Sequence, residues 1–200
     1  MRLVLAAVAS LAIAGSAAAE SLDIPSGTYK NDPTHTSVMW KVNHFGFSNY
    51  TGMFERGAIT ATVNLDADDV TQSSLDAGVT GTEVATLDPR GNGFDEEIAS
   101  DMFINAVQHP SVSFKSTDIE VTGDNTANIH GELTLAGVTL PIVLETTLNA
   151  AANHPMAGAP AFGISAVGTF DRTDFGVESL AGPVGTDVTI EIQAEFIKAE

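Results

Sequence analysis

Cysteine is absent from these 200 residues, and lysine and arginine together number eight against 26 aspartates and glutamates. The first absence excludes disulfides, thiolate metal centres and cysteine nucleophiles. The second excludes the basic surface on which nucleic acid binds, because a formal net charge of −18 repels phosphate backbones and anionic bilayer surfaces. Aromatic residues are few as well: one Trp, two Tyr and ten Phe. Helical periodicity is nearly missing, which argues against a helical bundle. What remains is an N-terminal apolar run followed by short segments that alternate between apolar and polar residues.

The apolar run reads as an export signal. Arg2 precedes an apolar stretch over 3–14, and small residues over 15–19 end at Ala19. That pattern fits a cleavable secretory signal and is short for a membrane span. Cleavage after Ala19 leaves residues 20–200 as one exported domain without stable membrane insertion. Its net charge becomes −19, since Arg2 is the one charged residue removed.

The richest stretch runs from His35 to Phe54 and holds Trp40, Tyr50 and three of the ten Phe. Val38, Trp40 and Val42 alternate with Ser37, Met39 and Lys41, the period of a strand with one apolar face. His44-Phe45-Gly46-Phe47 breaks the run. Similar alternation covers 57–65, 75–87, 111–117, 129–135, 138–148, 162–170 and 188–197. Gly137, between two apolar runs, predicts a tight hairpin. Residues 149–160 read as an Ala-, Gly- and Pro-rich loop. One helix is predicted over 94–107, with Phe94, Ile98, Met102 and Phe103 at helical spacing, acidic residues in its first turn and His109-Pro110 after it. Roughly eight strands with sequential turns predict an all-β antiparallel barrel or sandwich, and spacing alone does not separate the two.

The chemistry-bearing residues form no familiar catalytic pattern. Gly163-Ile164-Ser165-Ala166-Val167-Gly168 has the wrong spacing for a nucleophile elbow. His35, His44, His109, His130 and His154 include no metal-ligand pair of the H-E-x-x-H type, so no metal or cofactor is expected. Asp66, Asp68 and Asp69 lack the ligand order and glycine of a calcium loop and read as a solvated turn. Arg172, between Asp171 and Asp174, reads first as a brace for its loop and second as a contact to a ligand head group.

With inward-pointing alternation, the wall comprises Val38, Trp40, Val42, Ile59, Val63, Val79, Val112, Phe114, Leu133, Leu135, Leu140, Ile142, Leu144, Ile164, Phe170, Ile190 and Ile192, with Phe45 and Phe47 at the rim. Ala61, Ala77, Gly81, Gly131, Ala166, Gly168 and Ala194 lie among them. Such small residues either leave room for a ligand or accommodate bulky neighbours in a dry core; pattern alone leaves both open.

Several ordered motifs bear a resemblance. They are Tyr29 with Asp32-Pro33-Thr34-His35-Thr36; Val42-Asn43-His44-Phe45-Gly46-Phe47-Ser48; Gly52-Met53-Phe54; 109–117; Gly131-Glu132-Leu133-Thr134-Leu135-Ala136-Gly137-Val138-Thr139 with Pro141; and Arg172-Thr173-Asp174-Phe175-Gly176. Together they resemble the YceI-like family of periplasmic polyisoprenoid-binding proteins. Thr36 departs from the usual Ser, and 91–97 replaces a longer charged stretch containing a His. The resemblance implies an eight-stranded lipocalin-like barrel with one short helix, periplasmic location, an isoprenoid lipid such as a quinone or polyprenyl compound as ligand, and a homodimer. It implies a binding protein rather than an enzyme. An enzyme on such a lipid, with His35, His44 or Arg172 at the head group, is the competing class, and a stress-response protein acting through a partner is a third. A seven-residue strand tilted about 40° predicts a barrel on the order of 20 Å tall, in which a long isoprenoid bends or leaves an end outside.

Overall fold

The computed structural model describes residues 21–89, 91 and 93–199; the export signal read over 1–19 lies outside the described residues. In chain order the strands are β1 (Gly27–Asn31), β2 (Ser37–His44), β3 (Ser48–Phe54), β4 (Ile59–Leu65), β5 (Ser74–Thr80), β6 (Val84–Ala85), β7 (Ser111–Gly123), β8 (Thr126–Leu135), β9 (Val138–Asn153), β10 (Pro160–Asp171) and β11 (Val184–Lys198), and the α-helix is α1 (Phe94–Ala99). Eight strands close an antiparallel barrel in the order β1-β4-β5-β7-β8-β9-β10-β11, with β11 returning to β1. Closure leaves this ring without an exposed edge.

One edge of β11 serves two partners. Phe196 to Lys198 pair with β1, and Val188 to Gln193 pair with β2. The β2–β3 hairpin and the short β6 therefore prolong the barrel wall as a flap at the end opposite β1. The β1 end is plugged by aromatic rings. Phe196 stacks on Phe162 at 4.9 Å, Tyr29 meets Phe162 edge-on at 5.3 Å, and the Tyr29 hydroxyl donates to the Pro25 carbonyl at 2.6 Å. The hydroxyl is thus satisfied where a buried Tyr requires it. A second apolar cluster, Phe54, Ile59, Val79, Val84, Ala99, Ile104 and Ala106, ties the flap to β4, β5 and the α1 segment.

The Gly137 hairpin forms as its composition predicts. Ala136 (φ 50°) and Gly137 (φ 82°) both adopt the left-handed conformation between paired Leu135 and Val138, as the twist-matched two-residue turn requires.

Three predicted boundaries move. The helix over 94–107 ends at Ala99. The Ser100 hydroxyl donates to the Glu97 carbonyl, and no basic residue supports the last turn. The chain then folds back through Ile104 N–H to Ile98 carbonyl and Ala106 N–H to Ala99 carbonyl. That return packs Ile104 and Ala106 against Gly81, where an added Cβ would lie 3.0–3.1 Å from them. The strand predicted over 75–87 divides into β5 and β6 at this contact. The loop predicted over 149–160 shrinks to 154–159, because Ala150 to Asn153 continue the ladder with β10 despite their small side chains.

Candidate functional site

Alternation along the longest strands gives the barrel an apolar interior. On β11, Val184, Val188, Ile190, Ile192, Ala194 and Phe196 all border one cavity of about 540 Å³. Twelve residue steps at about 3.3 Å, tilted about 40°, make it on the order of 30 Å deep. The 20 Å expectation is too short because β9, β10 and β11 have 16, 12 and 15 residues. The volume falls within the range of about 300–1,000 Å³ typical of small-molecule sites. Phe196 marks the blind end, beside the aromatic plug. His44, Phe45, Leu180 and Val184 mark the other end, where Phe45 is 53% and Leu180 51% exposed.

The lumen stays open because large side chains lie flat against glycine. A Cβ on Gly131 would come within 2.6 Å of Phe114 Cε2, and one on Gly168 within 2.8 Å of Leu144 Cδ2. Trp40 lies in the same way across Gly52. Ala61, Ala77, Ala166 and Ala194 line the cavity directly. Small residues therefore act in both ways that the sequence left open: some accommodate bulky neighbours, and some leave room.

Of the side chains expected on the wall, Val38, Trp40, Val42, Phe45, Ile59, Val79, Val112, Phe114, Leu133, Leu135, Leu144, Ile164, Phe170, Ile190 and Ile192 border the cavity. Four do not. Phe47 is 91% exposed at the hairpin tip. Val63 pairs with Tyr29 and belongs to the core at the plugged end. Leu140 and Ile142 join the main core and flank an outer groove with Phe170 and Phe175, where the 3₁₀ turn Arg172–Phe175 packs on β9.

The three head-group candidates separate. His44 is at the mouth, with its ring 4.5 Å from that of Phe45. His35 does not border the cavity: its Nδ1 lies 2.8 Å from Asp32 Oδ2 and 3.9 Å from Glu195 Oε2. The bond to Asp32 raises the His35 pKa, and His35 with Thr34 holds Asp32 down to about 2. Asp32, His35 and Glu195 place one ligand atom each within 4.8 Å of one another, a spacing compatible with a cation, yet Asp32 and His35 already satisfy each other. Arg172 borders the cavity, but its guanidinium is committed elsewhere. Nη1 donates to the carbonyls of Val177 (2.6 Å) and Ser179 (2.8 Å), Nε to Gly185 (3.0 Å) and Nη2 to Val184 (3.2 Å). Burial lowers its pKa while neighbouring Asp171 opposes that shift. Arg172 braces the 177–185 segment, and that segment forms one side of the mouth.

Residues beyond the predicted set also line the cavity. Val188, Ala194 and Phe196 continue the β11 alternation, a signal present in the sequence. Phe94, Ile98, Phe103 and Ile104 come from the α1 segment, whose apolar stripe covers part of the cavity. Trp40, Tyr50 and Phe94 form an aromatic series at 6.0 and 5.6 Å between successive rings. Two polar wall atoms, Thr36 Oγ1 and Trp40 Nε1, are buried without a hydrogen-bond partner among the described residues.

Comparison with known proteins agrees with this architecture. The model of the YceI-like domain matches residues 29–196. A UPF0312 protein of Pseudomonas savastanoi pv. phaseolicola is 32% identical over 162 residues, covering 81% of this chain and 80% of that protein. The Campylobacter jejuni YceI protein superposes with a TM-score of 0.68 at 25% identity, covering 80% of this chain and 91% of that one. A polyisoprenoid binding domain from Saccharophagus degradans shares the fold, with a TM-score of 0.60 at 12% identity over 86% of this chain and 98% of that one. A barrel of this strand order, matched by the domain model over nearly its whole length, belongs to the YceI-like family.

Proposed function

We propose that this protein binds an isoprenoid lipid, such as a quinone or polyprenyl compound, in the barrel lumen and acts as an exported carrier or scavenger in the periplasm. The carrying observation is the deep apolar cavity, blind at Phe196 and open between Phe45 and Leu180. The name of the Saccharophagus degradans domain supports the lipid class. Each methylene-sized group moved from water into such a lumen contributes about 0.8 kcal/mol, so a tail of several isoprene units binds without any charged contact. A longer chain bends or leaves its end at the mouth.

The lining suits a lipid tail: apart from Thr36, His44, Tyr50, Glu97, Ser113, Thr146 and Arg172, the side chains bordering the cavity are almost all apolar. Native mass spectrometry with lipid extraction, on protein purified without detergent, tests the reading. Co-purifying isoprenoid lipid, and quenching of Trp40 fluorescence by an added isoprenoid quinone, are the expected results. Lipid-free protein whose Trp40 emission is unchanged at saturating quinone would overturn it.

A further inference from the structure

The mouth is built from two short segments held in an unfavourable backbone conformation. Phe45 and Leu180 both have φ 54°, in the left-handed region that a side chain makes costly. Each is over-determined by hydrogen bonds. The Phe45 N–H donates to the Pro183 carbonyl (2.8 Å), Gly46 N–H to Asn43 Oδ1 (2.8 Å) and Phe47 N–H to the His44 carbonyl (3.0 Å). The Val184 N–H donates to the Leu180 carbonyl (3.0 Å), and Arg172 fixes Val177, Ser179 and Val184 around it. The result is an apolar lip in an otherwise acidic chain, with Phe45 and Leu180 half exposed and Phe47 projecting beside them at 91% exposure.

We infer that this lip docks the mouth on a lipid bilayer, so that ligand passes between membrane and lumen without crossing water. The inference rests on the lipid-binding reading and goes beyond it by naming the surface that the mouth meets. Continuity carries it: Phe45 and Leu180 belong to both the cavity wall and the exposed lip, so the lumen's apolar surface runs unbroken to the outside. Contiguous exposed apolar groups at the opening of an apolar cavity fit a lipid surface, because both then leave water together. Charge sets the kind of surface. Glu97 is exposed and borders the cavity, Asp95 and Glu96 share its helical turn, and Arg172, the one Lys or Arg on the cavity wall among the described residues, is spent on carbonyls. The lip therefore suits a net-neutral, zwitterionic bilayer rather than an anionic one.

The test is flotation of the mature protein with ligand-free phosphatidylcholine vesicles, which does not depend on lipid uptake. Wild type is expected to float, and Phe47→Glu to lose association by about tenfold or more. Leu180→Glu should also weaken it. Met156→Glu, 92% exposed on the loop at the plugged end, should leave it unchanged. Replacing part of the phosphatidylcholine by phosphatidylglycerol should weaken association. In a parallel arm, Phe47→Glu should slow quinone transfer from vesicles, read by Trp40 quenching, while the affinity for quinone added without vesicles stays the same. Wild type that fails to float, Phe47→Glu that floats equally well, or a dimer abolished by Phe47→Glu in a protein that does not float would each overturn the inference. Loss of quinone binding in wild type that still floats would count against the lipid-carrier reading and leave the docking surface standing.

Discussion

Trp40 lies across Gly52 on the neighbouring strand, so closely that a Cβ on residue 52 would come within 2.5 Å of the indole Cε2. The contact turns a strand-register pair into a statement about lumen width. Gly52→Ala is expected to push the indole inward, narrow the cavity and weaken quinone binding by about tenfold. Overpacking of this kind also costs roughly 1–3 kcal/mol of stability. Titration of Trp40 fluorescence with quinone, beside urea denaturation, measures both effects.

Arg172 holds four backbone carbonyls while being only 4% exposed. Replacing it with Met leaves those acceptors without their charged donor and should destabilise the protein by at least about 2 kcal/mol, since hydrogen bonds to charged groups contribute about 1.5–3 kcal/mol each. Arg172→Lys should rescue little of this loss, because a single ammonium does not reproduce the planar fork. A head-group role would instead leave stability intact and change affinity alone, a pattern that denaturation and binding curves distinguish.

Thr36 is buried and its hydroxyl has no partner among the described residues. Thr36→Val keeps the shape and removes the unsatisfied group, so it is expected to stabilise the fold by about 1 kcal/mol or more. Chemical denaturation of the two proteins provides the comparison. A loss of stability would reveal that the hydroxyl is satisfied in solution.

Among the described residues no uncommitted Lys or Arg borders the lumen, whereas the exposed carboxylate Glu97 does. Farnesol should therefore bind several-fold more tightly than farnesyl phosphate. Glu97→Lys should narrow the difference by about fivefold, the size of an exposed charge interaction of about 1 kcal/mol. Competition of both lipids against a bound isoprenoid quinone measures the ratio.

The Asp32–His35 pair predicts a pH profile. Asp32 is held at about 2, below its ordinary 3.8, so its contribution is present above pH 3.8 and lost as pH falls towards 2. His35 is raised above its ordinary 6.5, so its contribution is full below pH 6.5 and lost as pH rises through the higher folded value. The stability gap between wild type and His35→Gln should be widest between about pH 4 and 6.5. Nuclear magnetic resonance titration should also show the Asp32 midpoint rising towards 3.8 in the variant.

Much of the barrel was legible because a strand writes its orientation into alternate residues. Val38, Trp40, Val42, Ile190 and Ile192 declared their face by period alone, and Ala136-Gly137 declared a hairpin. Length was harder to read: Ala150 to Asn153 look like loop residues, yet ladder hydrogen bonds extend β9 through them. The short helix was overextended because Met102 and Phe103 keep helical spacing after the Ser100 hydroxyl has ended it.

What the sequence determined by itself was an acidic, thiol-free chain of alternating strands with one apolar face and motifs of the YceI-like kind. Tertiary structure alone decided which inward residues meet the lumen and which meet the plug. Val63 obeys the same alternation as Ile59, but register places it opposite Tyr29. It decided that Arg172 serves backbone carbonyls and that His35 faces Asp32. It also brought the α1 segment over the flap, and Phe45 beside Leu180 to make the mouth. The physical reason is that alternation reports which side of a sheet a residue occupies. Its depth along the barrel, and its partners across it, depend on register and closure between strands far apart in sequence.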